Sequence, residues 1–405
     1  MPRLLQVNAS LNKGSTGRIA EQIATLARHR GWDTYIVHGS RYVNESAMHT
    51  LQSVTPMGER LHAVRSMLFD AHGLGSACAT RRVIRDIQRI QPDVIHLHNI
   101  HGYYLNYKLL FRYLQTLDIP VVWTLHDCWP MTGHCSHFDM AGCDRWKSHC
   151  HSCPLQKDYP KSLFFDRSRR NYALKKALFT SLPNVTIVPV SQWLGRVVSQ
   201  SYLGQYPSVV INNGVDLSVF APRPSDLRSR LGLDGKKVLL GVATAWKAEK
   251  GLQDYLSLSR QLPDEYRIVL VGVSEEQQRL LPDGMIGVTR TESQTELASY
   301  YSMADVVLNL SYQETFGMTT VEGFACGTPS IVYDRTASPE LIDDDCGKVV
   351  QAGNLEQLLA AIADVTSHDK SHYADACRRR AVTYYNKEDR FADYVQLYET
   401  LLRNA

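Results

Sequence analysis

The chain alternates between two kinds of segment, and the alternation runs twice. "LLQVNAS" (4–10) is a short apolar run that ends in polar residues. "GSTGRIAEQIATLARHRG" (14–31) follows, with Ile19, Ile23, Leu26 and Ala27 spaced to share one helical face and Gly31 as a stop. "TYIVHGS" (34–40), "DVIHLHN" (93–99), "PVVWTLHD" (120–127) and "NVTIVPVS" (184–191) repeat the strand pattern. Strands rich in β-branched residues and separated by helices predict a parallel sheet covered on both faces. The stretch 209–226, "VVINNGVDLSVFAPRPSD", then brings turn chemistry and two prolines, which read as a linker. The alternation restarts with strands at 236–244, 266–273, 304–311 and 329–334. The expected fold class is therefore α/β: two doubly wound, Rossmann-like domains at residues 1–221 and 222–405, facing a central cleft. A final helix near 371–403 is expected to cross back to the first domain. In such folds ligands bind beyond the carboxyl ends of the strands.

A length of 405 residues suits two domains of this kind. No run of 18 apolar residues predicts a membrane span. "MPRLLQVNAS" reads as a first strand and not a signal peptide, so a cytoplasmic protein is expected. The net charge of +3 hides an asymmetry. Residues 1–220 carry 24 Lys+Arg against 14 Asp+Glu, or +10, and the remainder carries 20 against 27, or −7. A basic half suits an anionic membrane surface, or is simply a solvated face. No nucleic-acid partner is expected.

The most informative stretch is 314–329, "ETFGMTTVEGFACGTP". Glu314 falls in the loop after the strand "VVLNLS", and a helix is predicted to begin near Gly317 and run to Ala325. The backbone amides of Thr315, Phe316, Gly317 and Met318 then form an anion site at a positive helix end. Glu322 lies about 1.5 turns further on, too far to cap the helix. It suits the hydroxyls of a diol such as a ribose. The alternative is a capped surface helix with a solvated Glu322.

At these residues the chain resembles the retaining GT-B glycosyltransferases of family 4. Every position of their signature E-x-F-G-x4-E-(A/G)-x-A-x-G-x-P is matched. The resemblance implies a hexosyltransferase-type enzyme of capsule, exopolysaccharide or O-antigen biosynthesis. Its donor would be a UDP- or GDP-sugar, held by the C-terminal domain. Its acceptor would be a glycan, free or lipid-linked, held by the N-terminal domain. No cofactor is implied for catalysis. Glu314 is assigned to positioning the sugar, and Glu322 to the ribose.

Three further patches extend the resemblance. "NASLNKGSTG" (8–17) places Gly14 and Gly17 after the first strand, where backbone can approach a phosphate or sugar. "VVWTLHDCW" (121–129) ends a strand at His126, expected to donate a hydrogen bond to a sugar hydroxyl or orient the acceptor; a packed strand-end His is the alternative. "ATAWKAEKG" (243–251) offers Lys250 to a diphosphate. The family's usual Arg is missing here, replaced near Thr244 and Ala245, and Lys247 is the candidate substitute. His96 and His98 alternate onto one side of a strand, and structural or acceptor-side roles are favoured for them over a metal. Two other readings stay open: a nucleotide-sugar epimerase of the same fold, and a non-catalytic, membrane-associated scaffold.

Two segments fall outside this motif set. Cys135, Cys143, Cys150 and Cys153 crowd into nineteen residues, C-x7-C-x6-C-x2-C. Structural zinc is the favoured reading, with free thiols and disulfides as alternatives. A catalytic deaminase zinc would need H-x-E, which the chain lacks. "KSLFFDRSRRNYALKKALFTSL" (161–182) mixes Leu163, Phe164, Phe165, Leu174, Leu178 and Phe179 with basic residues. It reads either as an interfacial helix that associates peripherally with a membrane, or as a domain helix with a charged outer face.

Overall fold

A computed structural model describes residues 1–404. The chain divides into two compact units. The first comprises Met1–Asn212 and the chain from Arg390, and the second is Asn213–Asp389.

The first unit holds a six-stranded parallel sheet. Its strands are β1 (Arg3–Val7), β2 (Asp33–His38), β3 (His49–Gln52), β4 (Val94–Leu97), β5 (Val121–Leu125) and β6 (Val185–Pro189), in the order β3-β2-β1-β4-β5-β6. The second unit repeats the plan with β7 (Lys237–Val242), β8 (Tyr266–Val271), β9 (Met285–Val288), β10 (Val306–Asn309), β11 (Ser330–Tyr333) and β12 (Gly347–Val350), ordered β12-β11-β10-β7-β8-β9. Both are doubly wound orders, with the first strand next to the point where the order reverses. The central strands are buried along their length, as continuous apolar runs require.

The helix Gly14–His29 buries Ile19, Ile23 and Ala27 against Leu4, Val94 and Val122 of the first sheet. Phe391, Tyr394, Val395 and Tyr398 complete the same core. They belong to the helix Lys387–Asn404. The single helix expected at 371–403 is thus two, Ser371–Tyr385 and Lys387–Asn404, broken at Asn386 with φ −60° and ψ 123°. Asn386 Oδ1 accepts from the Glu388 amide at 3.2 Å, which starts the second helix.

The units part at 212/213, ahead of the prolines at 222 and 224. The intervening loop is tied into the second unit. Val215 N–H donates to Tyr385 O at 2.7 Å. The Arg378 guanidinium donates to the carbonyls of Leu217 and Phe220 at 3.1 and 2.7 Å.

The segment 161–182 does not form one interfacial helix. Its helix is Ser168–Phe179, and Lys175, Leu178 and Phe179 are buried. Lys175 Nζ donates to the carbonyls of Trp129 and Thr132 at 2.8 and 3.0 Å, so this is a core-facing helix.

Candidate active site

The end of β10 sets the site in the second unit. Beyond it, Leu310 O lies where Gly251 passes: a Cβ on Gly251 would stand 2.3 Å from that oxygen, and its φ is +70°. Only glycine allows both the approach and the left-handed backbone. The contact brings the turn Ala248–Lys250 onto the loop after β10, where Tyr312 N–H donates to Glu249 O at 2.9 Å. Lys250 Nζ then meets Glu314 Oε1 at 2.5 Å. The two groups read separately from sequence are a direct ion pair, partly open to solvent.

Glu314 is fixed from a second direction as well. Its amide donates to Thr336 Oγ1 at 2.9 Å, and its carbonyl accepts from Ala337 N–H at 3.2 Å. Thr336 follows β11 and holds φ at +50°, a left-handed conformation that a β-branched residue rarely adopts. Nothing in the sequence marks Thr336.

The helix Met318–Ala325 starts where the motif predicts. Gly317 stands before it with φ +104°, and no side chain caps the first turn. No acidic residue occupies that turn. Its leading amides therefore face outward with the positive end of the helix dipole. Phe316 is buried and packs edge-on against Tyr385 at 5.7 Å, so it anchors the loop while its backbone remains at the helix start. Glu322 is half-buried, and its Oε2 accepts from Tyr301 Oη–H at 2.8 Å. Burial, with the Glu322 charge beside it, pushes the Tyr301 hydroxyl well above its ordinary pKa, so it stays a donor. Tyr301 is a second residue that motif reading misses, 21 positions from its partner.

Lys247 is exposed and precedes the 248–250 turn. Trp246, immediately before it, is buried, donates its indole N–H to Val271 O at 3.0 Å and packs edge-on to Tyr255 at 5.1 Å. It locks the loop that presents both lysines. Thr244 and Ala245, where an Arg was expected, are exposed.

In the first unit, Gly14 opens the helix with φ +68°, and a Cβ there would meet nothing within 4 Å. Gly17 is different: a Cβ would lie 2.8 Å from Ser10 Oγ and 3.2 Å from Asn12 N. Its missing side chain serves the packing of the turn after β1.

His126 ends β5 and belongs to a chain of polar contacts whose proton positions can be assigned. Gln6 Nε2 donates to Ala20 O at 2.8 Å, which turns Gln6 Oε1 toward His98 Nε2 at 2.8 Å. His98 Nε2 is therefore protonated. Burial holds the His98 pKa well below its ordinary value, so the ring is neutral and its Nδ1 is an acceptor. His126 Nε2, 3.1 Å away, donates to it. Burial lowers the His126 pKa to about 4, so His126 is neutral. His96 has a structural role: its Nε2 donates to Thr124 Oγ1 at 2.7 Å and its Nδ1 accepts from Tyr398 Oη at 2.6 Å. Next to His126, Asp127 Oδ2 pairs with His101 Nε2 at 2.8 Å. Burial opposes ionisation of Asp127, but the His101 charge and hydrogen bond prevail and hold its pKa at about 2.

Sequence comparison matches residues 14–219 to the model of Glycosyltransferase Family 4 and residues 225–383 to that of Glycosyl transferases group 1. The chain belongs to glycosyltransferase family 4. The putative colanic acid biosynthesis glycosyl transferase WcaC of Escherichia coli K12 is 26% identical over 98% of this chain and 100% of its own. Two solved structures show that the fold is GT-B. Sucrose-phosphate synthase of Thermosynechococcus elongatus superposes with a TM-score of 0.75 at 17% identity, covering 100% of both chains. Anabaena HepE in complex with UDP superposes at 0.69 and 15% identity, covering 99% of this chain and 100% of that one.

The cysteines of this glycosyltransferase do not bear out the expected zinc. Cys135, Cys143, Cys150 and Cys153 do line one small cavity. Yet among the described residues no group of three or more His, Cys, Asp or Glu side chains is arranged to hold a metal ion. The thiols are engaged otherwise. A hydrogen bond with Cys153, reinforced by burial, keeps the Cys135 thiol protonated and its pKa well above the ordinary value. Cys150 Sγ accepts from Gly133 N–H at 3.2 Å, and burial pushes its pKa up to about 11. Nearby, His134 Nδ1 is bonded to Asp70 Oδ1 at 2.6 Å. All four cysteines are free. No helix among the described residues is long and apolar enough to cross a membrane.

Proposed function

We propose that this glycosyltransferase moves a hexosyl group from a nucleotide-sugar donor to a hydroxyl of a glycan acceptor, with retention at the anomeric carbon. The acceptor we assign is a lipid-linked glycan of surface-polysaccharide biosynthesis; the relationship to a putative colanic acid biosynthesis glycosyl transferase supports a role in polysaccharide assembly. The observation that carries the reading is the Lys250–Glu314 ion pair beside an uncapped helix start that leads to Glu322. HepE with bound UDP supports a nucleotide donor in this fold.

In this reading residues 222–405 take the donor and 1–221 the acceptor. The diphosphate lies at the amides of Thr315, Phe316, Gly317 and Met318, where the helix dipole and an ammonium meet its charge. Lys250 exchanges its bond to Glu314 for a phosphate oxygen, with Lys247 as a second cation. Glu314, released from the lysine, accepts from the sugar hydroxyls. Glu322, oriented by Tyr301, takes the ribose diol. As the glycosidic bond to the diphosphate breaks, negative charge grows on the phosphate, and these fixed positive groups stabilise it: this is electrostatic catalysis. The acceptor hydroxyl attacks the same face, and its proton leaves with the departing phosphate. His126 meets a sugar hydroxyl or orients the acceptor, and Gly14 leaves room for substrate at the first helix.

The test is release of nucleoside diphosphate from UDP- and GDP-sugars with and without a lipid-linked glycan. Acceptor-dependent release with an α-linked product from an α-linked donor supports the reading. Release that ignores acceptor, or conversion of the donor to its epimer, refutes it.

A further inference from the structure

The helix Pro56–Phe69 in the first unit is built the wrong way round for a helix on a protein surface. Its buried residues are polar: Glu59, His62 and Ser66. Glu59 accepts from the Ser40 amide at 2.9 Å, and His62 Nε2 accepts from Gly75 N–H at 2.9 Å. Its exposed residues include Met57, Leu61 and Val64, spaced i, i+4, i+7 on one face, with Leu61 64% exposed. A helix that hides its polar side and shows its apolar side has an unfilled partner position.

The patch continues past the helix. Leu163 N–H donates to Met67 O at 2.8 Å, which places the exposed triplet Leu163–Phe164–Phe165 at the helix end. Phe164 is 70% exposed, and Phe165 stacks on Phe69 at 5.9 Å. The exposed charges among these residues are predominantly basic. Arg60 and Arg65 stand exposed on the helix, and Lys161, Arg169 and Arg170 flank the triplet. The Arg167 guanidinium lies over the rings of Phe165 and Phe69 at 5.4 and 5.9 Å. Of the acids in both segments, Glu59 is buried, and Asp166, though exposed, is held by the amides of Ser168 and Cys153, from which it accepts at 2.8 and 2.7 Å.

We infer that this face docks on an anionic lipid bilayer. The apolar side chains enter the acyl boundary while the arginines, whose stems lie along apolar surface, keep their heads at the phosphates. Charge complementarity selects this occupant: the patch is cationic within a half of the chain that carries +10, from 24 Lys+Arg less 14 Asp+Glu. The docking surface is the 56–69 helix with the 163–165 loop, and the helix Ser168–Phe179 supports it from beneath.

The inference is tested by flotation of the full chain with vesicles of phosphatidylcholine, or of an equimolar mixture with phosphatidylglycerol. Flotation reads lipid binding without sugar transfer, so it stands or falls apart from the proposed reaction. The chain is expected to float with the anionic vesicles only. Leu61→Ser and Phe164→Ser should each lower its partitioning about tenfold. Arg60→Gln with Arg65→Gln should lower it and flatten its salt dependence. Val349→Ser, at an exposed apolar position of the second unit, should change nothing. All these positions are exposed, so folding is not at stake. No flotation of the wild type, or equal flotation of wild type and Phe164→Ser, overturns the inference. So does a dimer in solution that Leu61→Ser dissociates, because the occupant would then be a second copy.

Discussion

Tyr301→Phe isolates one hydrogen bond of the candidate site. The substitution removes a hydroxyl that donates to Glu322 Oε2 at 2.8 Å and leaves the buried ring in place. A hydrogen bond to a charged group contributes about 1.5–3 kcal/mol. Glu322 is only half-buried, so water replaces part of the loss, and the lower figure applies. If Glu322 holds the ribose, freeing its carboxylate from one fixed rotamer should weaken nucleoside diphosphate binding by about 1.5 kcal/mol, or roughly tenfold. Glu322→Ala removes the acceptor itself and should weaken binding further. Isothermal titration of UDP and GDP into the wild type and both variants gives the affinities, and thermal unfolding of the same samples gives stability. The reasoning is refuted if Tyr301→Phe unfolds at a lower temperature yet binds the nucleotide as the wild type does. The hydrogen bond would then serve only the packing of the second unit.

Three other substitutions have outcomes set by the geometry. Gly251→Ala would place a methyl 2.3 Å from Leu310 O on a left-handed backbone. It should cost on the order of 2 kcal/mol or more of stability, read by urea unfolding, and displace Lys250. Lys250→Met should raise the donor KM, whereas Glu314→Gln should mainly lower kcat, a split that steady-state kinetics resolves. Asp127 is held at about 2 against an unfolded value near 3.8. Its folded pKa is depressed, so its stabilisation is present above about pH 4 and lost as pH falls toward 2. The difference in unfolding free energy between wild type and Asp127→Asn should be about 2 kcal/mol at pH 6 and should vanish near pH 2.

The strands and the motif helix were legible because their signals are local. An apolar run with a polar end marks the C-terminal edge of a buried strand, and Gly317 marks the start of Met318–Ala325. The pairings that build the site are not local. Lys250 and Glu314 lie 64 residues apart, and Tyr301 and Glu322 lie 21 apart, so no spacing rule connects them. The break at Asn386 did leave a trace, an Asn followed by Glu388 and Asp389, which is an ordinary helix-start pattern. The helical period hid it by continuing on both sides. The helix Pro56–Phe69 shows the converse limit: its apolar stripe has the right period, but period alone does not say which face is buried. The sense of the hydrogen bond between His98 and His126 was not legible either. That sense depends on Gln6, which lies 92 residues from His98.

The helix Lys387–Asn404 has a consequence for how the protein is made. Lys387 is paired to Asp216 of the second unit at 2.7 Å, while Tyr394 and Tyr398 seal His96 and Thr124 in the interior of the first. A ribosome delivers residues 1–212 early, but their core lacks these tyrosines until almost the entire chain has emerged. During that interval the nascent first unit exposes His96, Thr124 and the apolar face of its sheet. The second unit can close on its own sooner, so the unit that is synthesised first is the one completed last.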